Sequence, residues 1–101
     1  MTWTLDALRS RREEILAIAR RHGARRVRLF GSVARGDAGP TSDVDLVVEF
    51  EPGTSLLDHG ALLMELPVAL ADALGCKVDV VSERGMRERF RARVEAEAVA
   101  L

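Results

Sequence analysis

The stretch LFGSVARGDAGPTSDVDLVVEF, Leu29 to Phe50, decides how the rest of the chain is read. It follows Arg26-Val27-Arg28, so that arginines alternate with apolar residues up to Phe30. That period of two predicts a half-exposed strand. Gly31-Ser32 ends it abruptly, and Ser32-Val33-Ala34-Arg35 suits a short helix before Gly36. Residues 36–41 are rich in turn formers and predict a loop. A second strand follows over Asp43–Phe50, with two carboxylates at its front and an apolar run behind them. Side chains alternate across a strand, so Asp43 and Asp45 share a face.

These residue types in this order suit phosphate and metal chemistry. Glycine lets a phosphate approach the backbone, and the start of a helix offers free amides with a partial positive charge. Ser32 adds a hydroxyl donor. Two carboxylates on one face repel, which raises the pKa of one of them. A hard divalent cation such as magnesium removes that repulsion. Each feature alone has a plainer explanation: Gly31-Ser32 as an ordinary turn, Asp43 as a turn residue, Asp45 turned to solvent. A third acid changes the balance. Asp79 stands in Lys77-Val78-Asp79-Val80-Val81, a predicted third strand. Aspartate is disfavoured among strand valines, so it is either at a wet edge or projected into the same site. Gly-Ser after an apolar strand, followed by Asp-x-Asp opening another, arises by chance in roughly one chain in a thousand of this length.

Outward from this centre, a helix is predicted from about Leu5 to His22. Thr4 caps it, Trp3 staples onto Leu8, and Leu8, Ile15, Ile18 and Ala19 form its apolar stripe. Gly23 stops it. After the turn at Glu51-Pro52-Gly53, Ser55 caps a helix that starts at Leu56 and reaches Leu74 and Gly75, with Asp58 at its third position. Pro67 inside it predicts a kink or a break. Arg84 to Leu101 carries Met86, Phe90, Val94 and Leu101 at near-helical spacing. The order α, β, short helix, β, α, β, α defines an α/β (α+β) chain.

Length and charge set limits. The chain has 101 residues, and residues 1–101 are read as one domain with a modest core that a partner subunit could complete. Val94, Val99 and Leu101 fit either internal packing or such a partner. Hydrophobic residues are 48% and the net charge is −1, so the basic excess of a nucleic-acid binder is missing. Nucleic acid is therefore not expected as a stable partner. The arginines at 9, 11, 12, 20, 21, 25, 26 and 28 read as a solvated face, since Asp6, Glu13 and Glu14 are interspersed, or as a docking face. Cys76 is the single cysteine, which excludes an internal disulfide and suits a small buried hydrophobe. No signal peptide or spanning segment is evident, so the cytoplasm is expected, with no membrane partner.

The run from Leu29 to Gly36, continued by Ser42-Asp43-Val44-Asp45-Leu46, resembles the signature of polymerase β-type nucleotidyltransferases. More narrowly, the chain resembles the minimal nucleotidyltransferases (MNT) that serve as antitoxins in HEPN–MNT toxin–antitoxin pairs. The resemblance covers nearly the whole chain. It implies a small mixed sheet flanked by helices. It implies that Asp43 and Asp45 hold two Mg2+ ions, that Asp79 completes the metal on the nucleophile's side, and that all three are catalytic. Gly31 and Ser32 would bind the β- and γ-phosphates of ATP, with Arg35 neutralising phosphate charge. Ser42 would close the loop, and Lys77, on the face of Asp79, would point to solvent. The implied reaction moves AMP from ATP to a hydroxyl, a tyrosine of a HEPN-type toxin, within a hetero-oligomer. The chain has no tyrosine, so it cannot modify itself on one, which leaves serine or threonine open for self-modification. Two other readings stay open: a steric, non-catalytic antitoxin, and the donor subunit of a transferase with a small-molecule or RNA acceptor.

Overall fold

Strand β1, Ala24–Phe30, runs straight into helix α3, Gly31–Arg35, and the two carboxylates then lead into β2, Val44–Phe50. The computed structural model describes residues 2–101. Before β1 come α1, Leu5–Ser10, and α2, Arg12–Arg21. After β2 come α4, Leu56–Leu74, β3, Val78–Ser82, α5, Glu88–Glu97, and β4, Val99–Ala100. The sheet order is β3-β2-β1-β4. β1 is antiparallel to both β2 and β4, whereas β2 and β3 are parallel, so the sheet is mixed as expected. A parallel pair needs a crossover, and α4 supplies it.

The alternation of β2 divides the molecule. Val44, Leu46 and Val48 join Ile15, Ile18 and Ala19 of α2 and Leu66, Leu70 and Leu74 of α4 in one buried cluster. Asp45, Val47 and Glu49 take the opposite face. There Phe90 of α5 meets Phe30 edge-on at 5.9 Å, and α3 lies against β1 and β2.

The first helix is two helices, not the single one that its apolar stripe predicts. Arg11 breaks it at φ −106°, ψ 16°. The cause is tertiary: the Arg11 guanidinium donates to the Ala73 carbonyl at 2.7 Å, pairs with Glu14, and lies over the Trp3 ring. Trp3 itself is buried with Leu8 in the core. Thr4 accepts from the Ala7 amide and Gly23 turns the chain at φ 81°, as expected. Helix α4 is capped by Ser55 and runs unbroken through Pro67. Leu66 and Leu70, both fully buried, anchor it on either side of the proline.

Two further expectations give way. The C-terminal helix stops at Glu97, because Ala98 is extended, and Val99–Ala100 pair with β1 as a fourth strand. Leu101 and Val94 are buried, so they pack internally. Arg28 is not on the solvated face with its neighbours. It sits buried on the α5 side, paired with Glu83 and, at 3.3 Å, with Glu95. Burial alone would lower its pKa, but the Glu95 and Glu83 carboxylates outweigh this and hold it raised. Among the described residues no helix is long and apolar enough to cross a membrane.

Candidate active site

The parallel register sets Asp45 beside Asp79, and the antiparallel register sets Phe30 on the other side of Asp45. Cross-strand neighbours in register share a face, so strand pairing alone brings together two acids far apart in sequence. Asp43 stands one residue ahead of β2, where the Val44 amide donates to the Lys77 carbonyl at 3.1 Å. The Lys77 ammonium lies 3.5 Å from Asp43 Oδ2. Lys77 is exposed, as expected, but it also balances charge at the edge of the acidic cluster. The Lys77-x-Asp79 spacing was the signal for this, since it puts both side chains on one face.

Gly31 closes the site from the side of α3. Its φ is +76°, and a Cβ built there would run into the Asp45 carboxylate. The turn after β1 is thus packed directly on the acid that heads β2, an approach that no other residue type permits. Ser32 follows, half-buried, and no side chain caps α3. First-turn amides lack partners within a helix. Arg35 is exposed and held by Asp37 at 3.2 Å and Glu97 at 3.5 Å. Ser42 Oγ accepts from the Gly39 amide at 2.8 Å, which closes the loop as expected.

Charge is concentrated on Asp45. Burial raises its pKa, the Asp79 and Asp43 carboxylates raise it further, and Arg35 and Lys77 offset this in part. Asp45 is therefore held toward its protonated form, first by burial and then by its acidic neighbours. Among the described residues no three His, Cys, Asp or Glu side chains stand close enough to hold a cation in their present rotamers. Like-charged carboxylates spread apart, and Asp43 is engaged with Lys77. The donor set nevertheless fits a hard divalent ion: it offers only oxygens, on one face of adjacent strands, at the acid destabilised by its neighbours.

This arrangement of a glycine turn over paired strand acids has counterparts. The nucleotidyltransferase domain family matches residues 12–101, and the chain belongs to that family. Within it the chain is of the minimal kind. A solved structure provisionally described as a minimal nucleotidyltransferase is 52% identical, with a TM-score of 0.77, covering 98% of this chain and 97% of that one. A Methanocaldococcus jannaschii protein provisionally named a protein adenylyltransferase is 39% identical over 87% of this chain and 90% of its own length. Protein adenylyltransferase MntA of Thermococcus cleftensis is 38% identical over 78% of this chain and 76% of its own. The MNT antitoxin fold recurs in a solved complex of a tri-AMPylated Shewanella oneidensis HEPN toxin with its MNT antitoxin. That likeness has a TM-score of 0.62 at 20% identity over 91% of this chain and 69% of that one, and it speaks for the fold alone. The chain is thus an enzyme of the nucleotidyltransferase kind.

Proposed function

We propose that the chain transfers AMP from ATP to a tyrosine hydroxyl of a HEPN-type toxin, and so acts as a cytoplasmic antitoxin. The observation that carries this reading is the register of Asp45 with Asp79 beneath Gly31. The names of the Methanocaldococcus and Thermococcus relatives support AMP as the group moved and a protein as its acceptor. The fold shared with the Shewanella MNT antitoxin, which was solved with an AMPylated HEPN toxin, is what motivates this class of partner.

In this reading Asp43 and Asp45 would hold two Mg2+ ions, with Asp79 completing the second. Bound magnesium supplies neutralisation of the triphosphate charge and acidifies the acceptor hydroxyl. The chain's own residues do the rest. The Gly31 turn brings backbone amides to the β- and γ-phosphates, with the Ser32 hydroxyl as a further donor. Arg35, already close enough to bias Asp45, neutralises phosphate charge once it leaves Asp37 and Glu97. Asp79 takes the proton of the acceptor hydroxyl. The hydroxyl oxygen forms its bond to the α-phosphorus, the α–β bridging bond breaks, and pyrophosphate leaves with the electron pair. Because the chain has no tyrosine, the acceptor hydroxyl comes from the partner.

The test uses the full chain, magnesium, ATP labelled at the α-phosphate, and lysate from cells carrying the chain's natural neighbours, with a purified HEPN-type protein as a second acceptor. An Asp43→Asn/Asp45→Asn variant runs in parallel. Label on a partner tyrosine with the native chain alone is the expected result. Partner neutralised equally by both forms, with no label, would replace catalysis by steric capping.

A further inference from the structure

Every large hydrophobic side chain strongly exposed among the described residues lies on one helix. Leu56, Leu57, Met64 and Val68 of α4 are 75%, 83%, 77% and 62% exposed. Their placement is regular. Leu57, Ala61, Met64 and Val68, all exposed, follow one another at intervals of four, three and four residues. These are the intervals of a coiled-coil seam. The opposite face of α4 is already used, since Leu66, Leu70 and Leu74 fill the core. A helix that is apolar on both faces is one that is covered on both, and contiguous exposed apolar patches mark interaction sites.

The edges of the seam say what covers it. Asp58, Glu65 and Asp72 stand at intervals of seven along one flank, and all three are exposed. Among the described residues none of them is in an ion pair. The other flank carries Gly60 and Pro67, with no charge. A second copy of α4 does not fit. Antiparallel, the acidic flank would face itself; parallel, it would face Gly60 and Pro67 without a counter-charge. Gly60 adds an independent sign. A Cβ there meets nothing within 4 Å, so the chain's own packing does not call for a residue that weakens its helix. A closely approaching partner backbone would account for it.

We propose that the outer face of α4 docks an amphipathic helix of a partner protein. The apolar seam of that helix meets Leu57, Ala61, Met64 and Val68, and its arginine- or lysine-lined flank meets Asp58, Glu65 and Asp72. The face lies across the sheet from Asp45 and Asp79, because Leu46 and Val48 point toward α4 and Asp45 points away. Docking here is therefore separate from nucleotidyl transfer and stands whether or not the docked protein is the acceptor.

Two fluorescent helical peptides test this against the full chain by anisotropy. Both carry a Leu/Ile heptad seam; one has lysine flanks and the other glutamate flanks. The lysine peptide is expected to bind about tenfold or more tighter at low salt. Met64→Lys should abolish its binding. Glu65→Lys/Asp72→Lys should reverse the preference toward the glutamate peptide. All substituted side chains are exposed, so circular dichroism should show the fold unchanged. Equal binding of both peptides, or none by the native chain at about 100 µM, overturns the proposal. So does a dimer of the chain itself in sedimentation that Met64→Lys dissolves, which would make a second copy the occupant.

Discussion

Two glycines with nearly the same backbone angle separate conformational strain from the needs of the site. Gly31 has φ +76° and Gly36 has φ +82°. An alanine at either position is forced into the left-handed region, at a cost of about 1–2 kcal/mol. At Gly36 the new methyl group meets open space, and the cost ends there. At Gly31 it strikes the Asp45 carboxylate, and overpacking adds about 1–3 kcal/mol. Gly31→Ala should therefore lose about 2–5 kcal/mol in urea denaturation against about 1–2 for Gly36→Ala. In melting temperature, each kcal/mol is worth roughly 4–8 °C for a chain of this size. Activity should divide more sharply. Displacing Asp45 by about 1 Å costs about a hundredfold in rate, so AMP transfer by Gly31→Ala should fall by that much while Gly36→Ala stays near the native rate. Equal losses of stability and activity in the two variants would refute the claim that the turn after β1 is packed against Asp45 for the sake of the site.

Asp45→Asn should inactivate the enzyme yet stabilise it without metal. The folded carboxyl has a raised pKa, so ionising it costs stability as pH climbs from the unfolded carboxyl's range through the folded one. That cost is complete above both pKa values, where the variant should melt higher than the native chain, and absent below both, where the two should converge. Magnesium should raise the melting temperature of the native chain and leave Asp43→Asn/Asp45→Asn unmoved. Arg28→Ala leaves the half-buried Glu83 without its partner and should cost about 2–3 kcal/mol in urea unfolding; adding Glu83→Gln should recover part of it, and a loss below about 1 kcal/mol would mark the pair as dispensable. Gly60→Ala should stabilise the free chain by about 1 kcal/mol in thermal unfolding, since the site is open and helical.

Local chemistry made much of this legible in advance. Ser55 and Gly75 bracket α4 to the residue because an N-cap oxygen and a left-handed glycine are local devices. The Gly31 turn, Asp-x-Asp and Asp79 were legible because strand alternation fixes which side chains share a face. What escaped was set by distant partners. The break at Arg11 follows from the Ala73 carbonyl, which no window around Arg11 contains. Arg28 reads as one of an exposed alternating set, and only Glu83 and Glu95, brought from other elements, make its burial tolerable. Strand β4 is two residues long and exists because β1 offers an open edge. Leu101, just beyond it, continues the spacing of Met86, Phe90 and Val94, so periodicity favours the wrong element. The seam of α4 was hidden differently: a helix apolar all round does not say which face the chain itself will cover.

The parallel pairing of β2 with β3 also imposes an order in time. β1 and β2 are joined by residues 31–43 and pair antiparallel, whereas β2 and β3 pair across the whole of α4, so the second pairing is expected to close later. Non-local parallel pairing is intrinsically the slower event. Before that pairing Asp43 and Asp45 lack Asp79, and the acid cluster of the proposed site is incomplete. On the proposed reading, transfer is expected only once the crossover has brought β3 into place.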